Sequence, residues 1–154
     1  MAFTTWNMLG WHPYLQRAAS RITSCPPLLT PFSLWRRSSD PSSPSSPQTN
    51  LWDSTEWISD LLPSLGFADV TVTPFRYDSE IRGKEQRAQF VKSCEELLIP
   101  LFASQWTEEQ KKKIPEVARE LEKVLSEEFG SAEDPKSVVS IPSIAIISSG
   151  KKPL

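Results

Sequence analysis

The chain opens on an extended pattern of aromatic and β-branched residues. Residues 2–6 read Ala-Phe-Thr-Thr-Trp, and Phe, Thr and Trp favour strands. A lone strand cannot satisfy its own backbone N–H and C=O groups. We therefore expect the strand at 2–6 to pair with strands from far down the chain. We also expect that a segment which normally precedes this strand is absent.

The clearest local pattern is a helix that passes through a Gly-Phe pair into a strand. Asp53 and Glu56 have the spacing of a capping box, which predicts a helix start at that point. The apolar face of this helix is made by Trp57, Ile58, Leu61, Leu62 and Leu65. Gly66 stands where a left-handed cap is needed, and Phe67 folds back on the helix as in a Schellman motif. Alternation over 68–73 then predicts a strand.

Two helical patterns and a final strand follow. Apolar residues recur at helical spacing over 88–102, where Pro100 interrupts the run. A second apolar stripe covers 114–129 and is closed by Gly130. Residues 138–148 are rich in Val and Ile, which predicts a strand.

Shorter signals complete the pattern. A helix is predicted over 14–22, and Thr107 and Gln110 repeat the spacing of a capping box. Residues 38–50 hold Ser and Pro with no apolar side chain to bury, which predicts a flexible loop. Strands separated by helices indicate an α/β fold. We take residues 1–154 as a single domain.

The first third of the chain is net positive and the remainder is net negative, but neither part contains a dense cluster of basic residues. Four arginines against one aspartate leave +3 on residues 1–52, and the net charge of −2 for the whole chain puts −5 on the remainder. Neither part has the basic stripe expected of a nucleic-acid binder. No apolar run approaches the ~20 residues needed to span a bilayer. The composition therefore supports neither a nucleic-acid partner nor a membrane partner.

The residue types that hold metals are too sparse for a structural zinc site. Cys25 and Cys94 have no CxxC partner and His12 is the only histidine, whereas zinc takes four ligands at recognisable spacing. We expect no metal, two free thiols in a reducing compartment and a cytoplasmic location. The first 39 residues are acid-free and rich in Ser and Arg, as in a mitochondrial transit peptide, but their Trp and Pro residues fit one poorly.

Three stretches together resemble the C-terminal half of a class I S-adenosylmethionine-dependent methyltransferase, of the small-molecule type common in filamentous fungi. The first stretch covers residues 3–14 and contains FTTWN at 3–7 and GWxPY at 10–14. The second is LGFADVTV at 65–72, and the third is IPSIAIISSGK at 141–151. The resemblance implies a partial Rossmann-like sheet, in which 2–6, 68–73 and 138–148 are the fifth, sixth and seventh strands. The seventh is antiparallel and lies between the other two. Residues 84–130 resemble the helical lid that such enzymes insert between their last two strands.

The resemblance implies S-adenosylmethionine as the cofactor. The family binds it over the first half of the sheet, where a Gly-rich turn follows the first strand, by the logic of dinucleotide folds. The five glycines of this chain are all isolated, and no GxG follows a strand. We therefore expect no cofactor-binding residues here and a chain that does not hold the cofactor by itself. A truncated relative, or a chain beginning at an internal methionine, would have this pattern.

Five residues near the start are candidates for the acceptor site. The resemblance places Trp6 and Asn7, at the end of the fifth strand, on the substrate side. We expect Trp6, Trp11 and Tyr14 to wall an apolar substrate pocket. His12 is the candidate catalytic base, because imidazole titrates near neutrality. Two alternatives stay open, since clustered aromatics are more often core and a lone His beside Pro is more often structural.

The sequence thus predicts methyl transfer to a small-molecule acceptor, with this chain as a substrate-side segment that is inactive alone. The alternative is a non-catalytic interaction module. Such a module would bind a partner chain through the helical pair at 84–130 or through the outer edge of the strand at 2–6, since unpaired strand edges invite pairing.

Overall fold

The computed structural model of the chain describes residues 2–31 and 53–152. The loop predicted at 38–50 lies outside the described residues. The described residues form two compact units. The sheet unit comprises residues 2–10, 53–78 and 142–152, and the helical unit comprises residues 11–31 and 79–141.

Three strands form one sheet, β1 (Ala2–Met8), β2 (Ala68–Arg82) and β3 (Val138–Lys151). The sheet is antiparallel and its order is β1-β3-β2. Thr5 lies opposite Ile146 and Trp6 lies opposite Ala145. The predictions of an α/β fold and of pairing between the first and last strands are confirmed.

β2 is longer than its pattern predicted. The strand expected at 68–73 continues to Arg82. Phe75, Tyr77 and Ile81 fall on alternate positions of the extension, which is a strand period. The charged residues between them concealed this period, because charged residues are depleted in strands. No residue of β2 is fully buried, as expected for the outer strand of a sheet.

α2 (Thr55–Ser64) is capped by Ser54, so the cap predicted at Asp53 was wrong by one residue. The Oγ of Ser54 accepts a hydrogen bond from the backbone N–H of Trp57 at 3.2 Å and donates to Glu56 at 2.9 Å. A hydroxyl at this position satisfies one of the free N–H groups of the first turn. The carbonyl of Asp53 is bonded to the Asn7 side chain at 2.6 Å, which holds Asp53 outside the helix.

The end of α2 confirms the predicted Schellman motif. Gly66 has φ of 82°, and its N–H donates to the carbonyl of Pro63 at 2.9 Å. The N–H of Phe67 donates to the carbonyl of Leu62 at 3.1 Å. These are the two bonds that define the motif. The core of the sheet unit consists of Ile58, Leu62 and Ile146, with Phe3, Trp57, Phe67, Val70 and Val72 packed around them.

The helical unit contains the other described helices. They are α1 (His12–Ser20), α3 (Gly83–Ser93), a π-helical turn at Cys94–Leu98, α4 (Ile99–Phe102), α5 (Glu108–Lys111) and α6 (Ile114–Phe129). α1 begins and ends two residues before the predicted 14–22, because Pro13 suits a first turn, where its missing N–H has no partner to lose. The capping box at Thr107 and Gln110 is confirmed. Within the described part of the chain, no helix is long and apolar enough to cross a membrane.

The two helical patterns after β2 are confirmed, with one irregularity. α6 covers the predicted 114–129, whereas the pattern at 88–102 is divided between α3, the π-helical turn and α4. Pro100 has no N–H to donate to the carbonyl four residues back, so the ladder of hydrogen bonds must change near it. The π-helical turn, which ends at Leu98 two residues before Pro100, accommodates that change.

α1 packs mainly on α6. Their shared core is built from Leu15, Ala18, Ala19, Val117, Leu121, Val124 and Leu125. At the surface, Arg17 Nη1 donates to Glu128 at 2.9 Å and Arg21 Nη1 donates to Glu127 at 2.8 Å. The hydrogen bond from Arg21 lowers the pKa of Glu127 to about 2.

One cation lies inside the helical unit. Arg87 on α3 is 2% exposed. Its Nη1 donates to the carbonyl of Gly130 at 2.8 Å, its Nη2 donates to Ser126 at 3.2 Å, and its Nε lies 3.1 Å from a Glu122 oxygen. A buried charge needs such partners to offset lost hydration. Arg87 therefore ties α3 to the C-terminal end of α6.

Candidate functional site

Trp6 and Asn7 lie at the end of β1, in the sheet unit. The register with β3 shifts between Trp6 and Met8, so Asn7 sits at an irregularity of the strand. Asn7 is exposed, and its Nδ2 donates to the carbonyl of Asp53 at 2.6 Å. Since Asp53 directly precedes the cap of α2, this bond fastens the start of α2 to β1.

Trp6 belongs to a group of three rings, Trp6, Phe75 and Tyr77, which we call the aromatic platform. Trp6 and Tyr77 meet edge to face, with ring centroids 6.0 Å apart and planes at 61°. Tyr77 and Phe75 are nearly parallel, with centroids 6.4 Å apart and planes at 22°. Phe75 and Tyr77 were not predicted as site residues. The signal that could have found them is two aromatic residues at strand spacing, which places both on one face.

The strand register defines the rest of this face. Ala145 lies opposite Trp6 and Ile147 lies opposite Thr4. Alternate residues of a strand share a face, so Thr4, Trp6, Ala145 and Ile147 lie together. Ala145 is 6% exposed and Ile147 is 46% exposed. The platform therefore continues into uncharged side chains on the neighbouring strands.

Trp11 and His12 come together in the helical unit, at the start of α1. Both rings contact Phe102 of α4, with centroids 5.4 Å from Trp11 and 5.0 Å from His12. The Trp11 and His12 rings themselves are 6.2 Å apart. His12 is 9% exposed. This is the packing of a core cluster, which the sequence left open as an alternative.

The hydrogen bond of His12 decides which ring nitrogen can take a proton. Nε2 lies 2.8 Å from the carbonyl of Leu29, and a carbonyl only accepts, so Nε2 carries the hydrogen. The lone pair of the neutral ring is therefore on Nδ1. Burial lowers the pKa of His12 below 6.5, and the bond to Leu29 offsets part of this effect. The imidazole is thus held neutral near pH 7, with Nδ1 as its basic atom.

Tyr14 contacts a different partner on α6. Its ring lies 5.6 Å from that of Phe129, with planes at 57°. Burial and the charge of Glu128 raise the pKa of Tyr14. The three rings expected to wall one pocket therefore each pack on a separate aromatic residue, Tyr77 for Trp6, Phe102 for Trp11 and Phe129 for Tyr14.

A groove of about 420 Å³ lies between α3 and α6, within the helical unit. This volume is in the range of small-molecule sites, about 300–1,000 Å³. Its apolar residues are Ala88, Val91, Ala118 and Ala132, and its charged residues are Lys84, Lys92, Glu95, Arg119, Glu122 and Glu133. Lys84 and Glu133 are bridged at 2.6 Å. None of the five residues predicted for the acceptor site lines this groove.

The described residues do not fit S-adenosylmethionine as a cofactor. Gly66, Gly83 and Gly130 have positive φ. Gly66 and Gly130 end helices, and Gly83, the first residue of α3 after β2, is a single glycine and not part of a Gly-rich turn. No group of three or more His, Cys, Asp or Glu is placed to hold a metal within residues 2–31 and 53–152. Both cysteines are free, and burial raises the pKa of Cys94 to about 12, which keeps this thiol protonated.

No protein-family model matches the chain. Its function must therefore be argued from its own features, which are the strand order, the aromatic platform, the environment of His12 and the groove between α3 and α6.

Proposed function

We propose that this chain is the substrate-side, C-terminal segment of a class I S-adenosylmethionine-dependent methyltransferase that acts on a small molecule. The strand order β1-β3-β2 carries the proposal. A last strand that runs antiparallel between the other two is the arrangement which the resemblance implied for the seventh, fifth and sixth strands. The helix–Gly-Phe–strand junction at Gly66 and the helices between β2 and β3 agree with the same reading.

In this proposal the chain contributes the acceptor side alone. In the sheet unit, Trp6 and Asn7 are proposed to contact the small-molecule acceptor. Trp11, His12 and Tyr14 belong to the helical unit, where aromatic packing already accounts for their rings. S-adenosylmethionine is held by a cofactor-binding half that is not among these residues, because the isolated glycines offer no cradle. Two free thiols are consistent with a cytoplasmic location.

Complementation tests the proposal. The last three strands of a class I methyltransferase are deleted, and this chain is fused to the C-terminal end of the remaining four strands. Binding of S-adenosylmethionine to the fusion is then measured by calorimetry. We expect no binding to either part alone and micromolar binding to the joined protein. The matched control is Ala145→Pro, which interrupts β3 opposite Trp6 and should abolish the gain. A soluble, folded fusion that does not bind the cofactor would count against the proposal.

The groove between α3 and α6 favours a second candidate function, a non-catalytic interaction module. Beyond its apolar floor, Leu97 is 68% exposed and Leu101 is 52% exposed on the following turns. An amphipathic helix lays its apolar face into such a groove. The partner chain could also add a strand to β1, which is a terminal strand of the described sheet.

This second candidate predicts measurable binding of a model amphipathic peptide with Leu at helical spacing. Fluorescence anisotropy with the labelled peptide should show binding that Val91→Lys removes, since the new charge would lie in the groove. Lys152→Ala, an exposed substitution in the sheet unit, serves as the control. Equal binding to both variants would exclude the groove as the docking site.

A further inference from the structure

The aromatic platform leaves ring surface open to a ligand. Phe75 is 53% exposed, and Ile147 on the same sheet is 46% exposed. The centroids of Phe75 and Tyr77 are 6.4 Å apart, near the upper end of the 4.5–7 Å range of aromatic pairs. Face-to-face contact needs carbon atoms about 3.5–4.0 Å apart, so this pair does not fill both ring faces.

The charged neighbours of Tyr77 lie on the other face of β2. Arg76 and Asp78 flank Tyr77 in the strand, so alternation places them opposite the platform, where they form an ion pair with each other at 3.8 Å. Thr4, Ala145 and Ile147, which share the face of Trp6, are uncharged. An anionic ligand would therefore lose hydration on this surface without meeting a free counter-charge among the described residues of this face. The surface selects against an anion.

Ring geometry selects for a flat ligand. Trp6 stands edge-on to Tyr77, with planes at 61°, so it forms a step beside the nearly parallel rings of Phe75 and Tyr77. A planar ring laid on Phe75 or Tyr77 would stack on it. Aromatic pairs prefer offset-stacked and edge-to-face contacts, and a planar ligand could make both here.

We propose that the aromatic platform binds an uncharged, planar aromatic ring by stacking on Phe75 and Tyr77 with Trp6 at its edge. If the platform holds the methyl acceptor, which rests on the proposed function, the acceptor is a neutral aromatic molecule. Binding of an aromatic ring by the platform depends only on Trp6, Phe75 and Tyr77.

The test is an NMR titration of the labelled, full-length chain with 2-naphthol, which is planar and neutral at pH 7. The Trp6 indole N–H signal, assigned with Trp6→Phe, should shift on titration. Phe75→Ser should weaken binding about tenfold, since it removes one of the two rings on which the ligand stacks. The matched control is Leu65→Ser, which removes a comparably exposed apolar side chain at the end of α2 and should leave binding unchanged.

Two further probes examine the ligand class. Cyclohexylmethanol is neutral but not planar, and 2-naphthalenesulfonate is planar but anionic. Both should bind at least tenfold more weakly than 2-naphthol. Equal binding of all three probes would overturn the inference. So would a Phe75→Ser variant that binds 2-naphthol like the parent chain while its Ile146 methyl signals show an intact core.

Experiments can disprove ring binding by the platform and the proposed methyltransferase function independently of each other. Platform binding that persists while the complemented protein does not bind S-adenosylmethionine would support the ligand class and count against the methyltransferase. Cofactor binding by the complemented protein with no 2-naphthol binding at the platform would overturn the inference alone.

Discussion

His12 has a structural role that limits what chemistry its ring could perform. Its Nε2–H is committed to the carbonyl of Leu29 at 2.8 Å and its ring faces Phe102, which explains its burial without any ligand. The same bond leaves Nδ1 as the only basic atom of the ring. A catalytic role for His12 therefore requires the acceptor proton to reach Nδ1.

The pKa of His12 predicts how stability depends on pH. Burial lowers this pKa in the folded chain below the unfolded value near 6.5, so the unfolded chain takes up a proton first as the pH falls. The contribution of His12 to the free energy of unfolding should be constant above about pH 7 and should decrease as the pH drops below about 6.5 toward the folded pKa. Because His12 is the only histidine, its NMR signal reports that pKa directly.

The matched variant for this effect is His12→Gln, which should remove the His12 contribution to the pH dependence between pH 7 and the folded pKa. A folded His12 pKa above 6.5 would contradict the buried, neutral imidazole.

Arg87 is the residue whose loss should destabilise the helical unit most clearly. Arg87→Met keeps the stem but leaves the Gly130 carbonyl and the Glu122 carboxylate without their cation. Breaking a buried pair costs about 3–5 kcal/mol, and we expect about 2–3 kcal/mol here because Glu122 is 37% exposed and can regain water. Urea denaturation measures this loss.

The control for Arg87 is Lys84→Met on the same helix, which breaks the exposed pair with Glu133 and should change the unfolding midpoint little. Glu122→Leu combined with Arg87→Met should recover part of the stability. Equal effects of the two single variants would show that Arg87 is not an internal anchor.

At the scale of elements, the junction between α2 and β2 depends on one backbone conformation. Gly66 has φ of 82°, and a Cβ at this position would meet no atom within 4 Å. Gly66→Ala should therefore cost about 1 kcal/mol through backbone strain alone. Gly66→Asn should cost less, since Asn tolerates this conformation better. Thermal or urea unfolding of the three proteins gives the comparison, and an Ala variant as stable as the parent would refute the strained cap.

Local patterns predicted most elements because their causes are local. The Schellman motif at Gly66, the stripe of α6 and the capping box at Thr107 each depend on residues a few positions apart. The extension of β2 was missed because charged residues occupy alternate positions after Pro74. The cap at Ser54 was missed because Asp53, unlike Ser54, has a Glu three residues later, and the bond from the N–H of Trp57 to the Ser54 hydroxyl is visible only in the structure.

The site was harder to predict than the fold, since it depends on contacts between distant residues. Trp6 was a candidate from the sequence, but its ring partner Tyr77 lies on another strand. Trp11 and His12 were also candidates, whereas Phe102, which packs on both, lies on α4. Helical or strand periodicity within one segment carries no information about such partners.

At the scale of the whole molecule, the function proposed here depends on long-range pairing. β1 and β3 lie at opposite ends of the described chain, and Ala2 pairs with Ser149. The methyltransferase reading requires β3 to separate β1 from β2. Any other order would remove the observation on which the proposed function rests.

The most direct test is the strand order itself, measured by nuclear Overhauser effects in the isotope-labelled chain. We predict contacts between the backbone protons of Thr4 and Ile147 and of Trp6 and Ala145, together with contacts between β3 and β2. Backbone contacts between β1 and β2, with β3 at an outer edge, would contradict the strand order and with it the proposed methyltransferase segment.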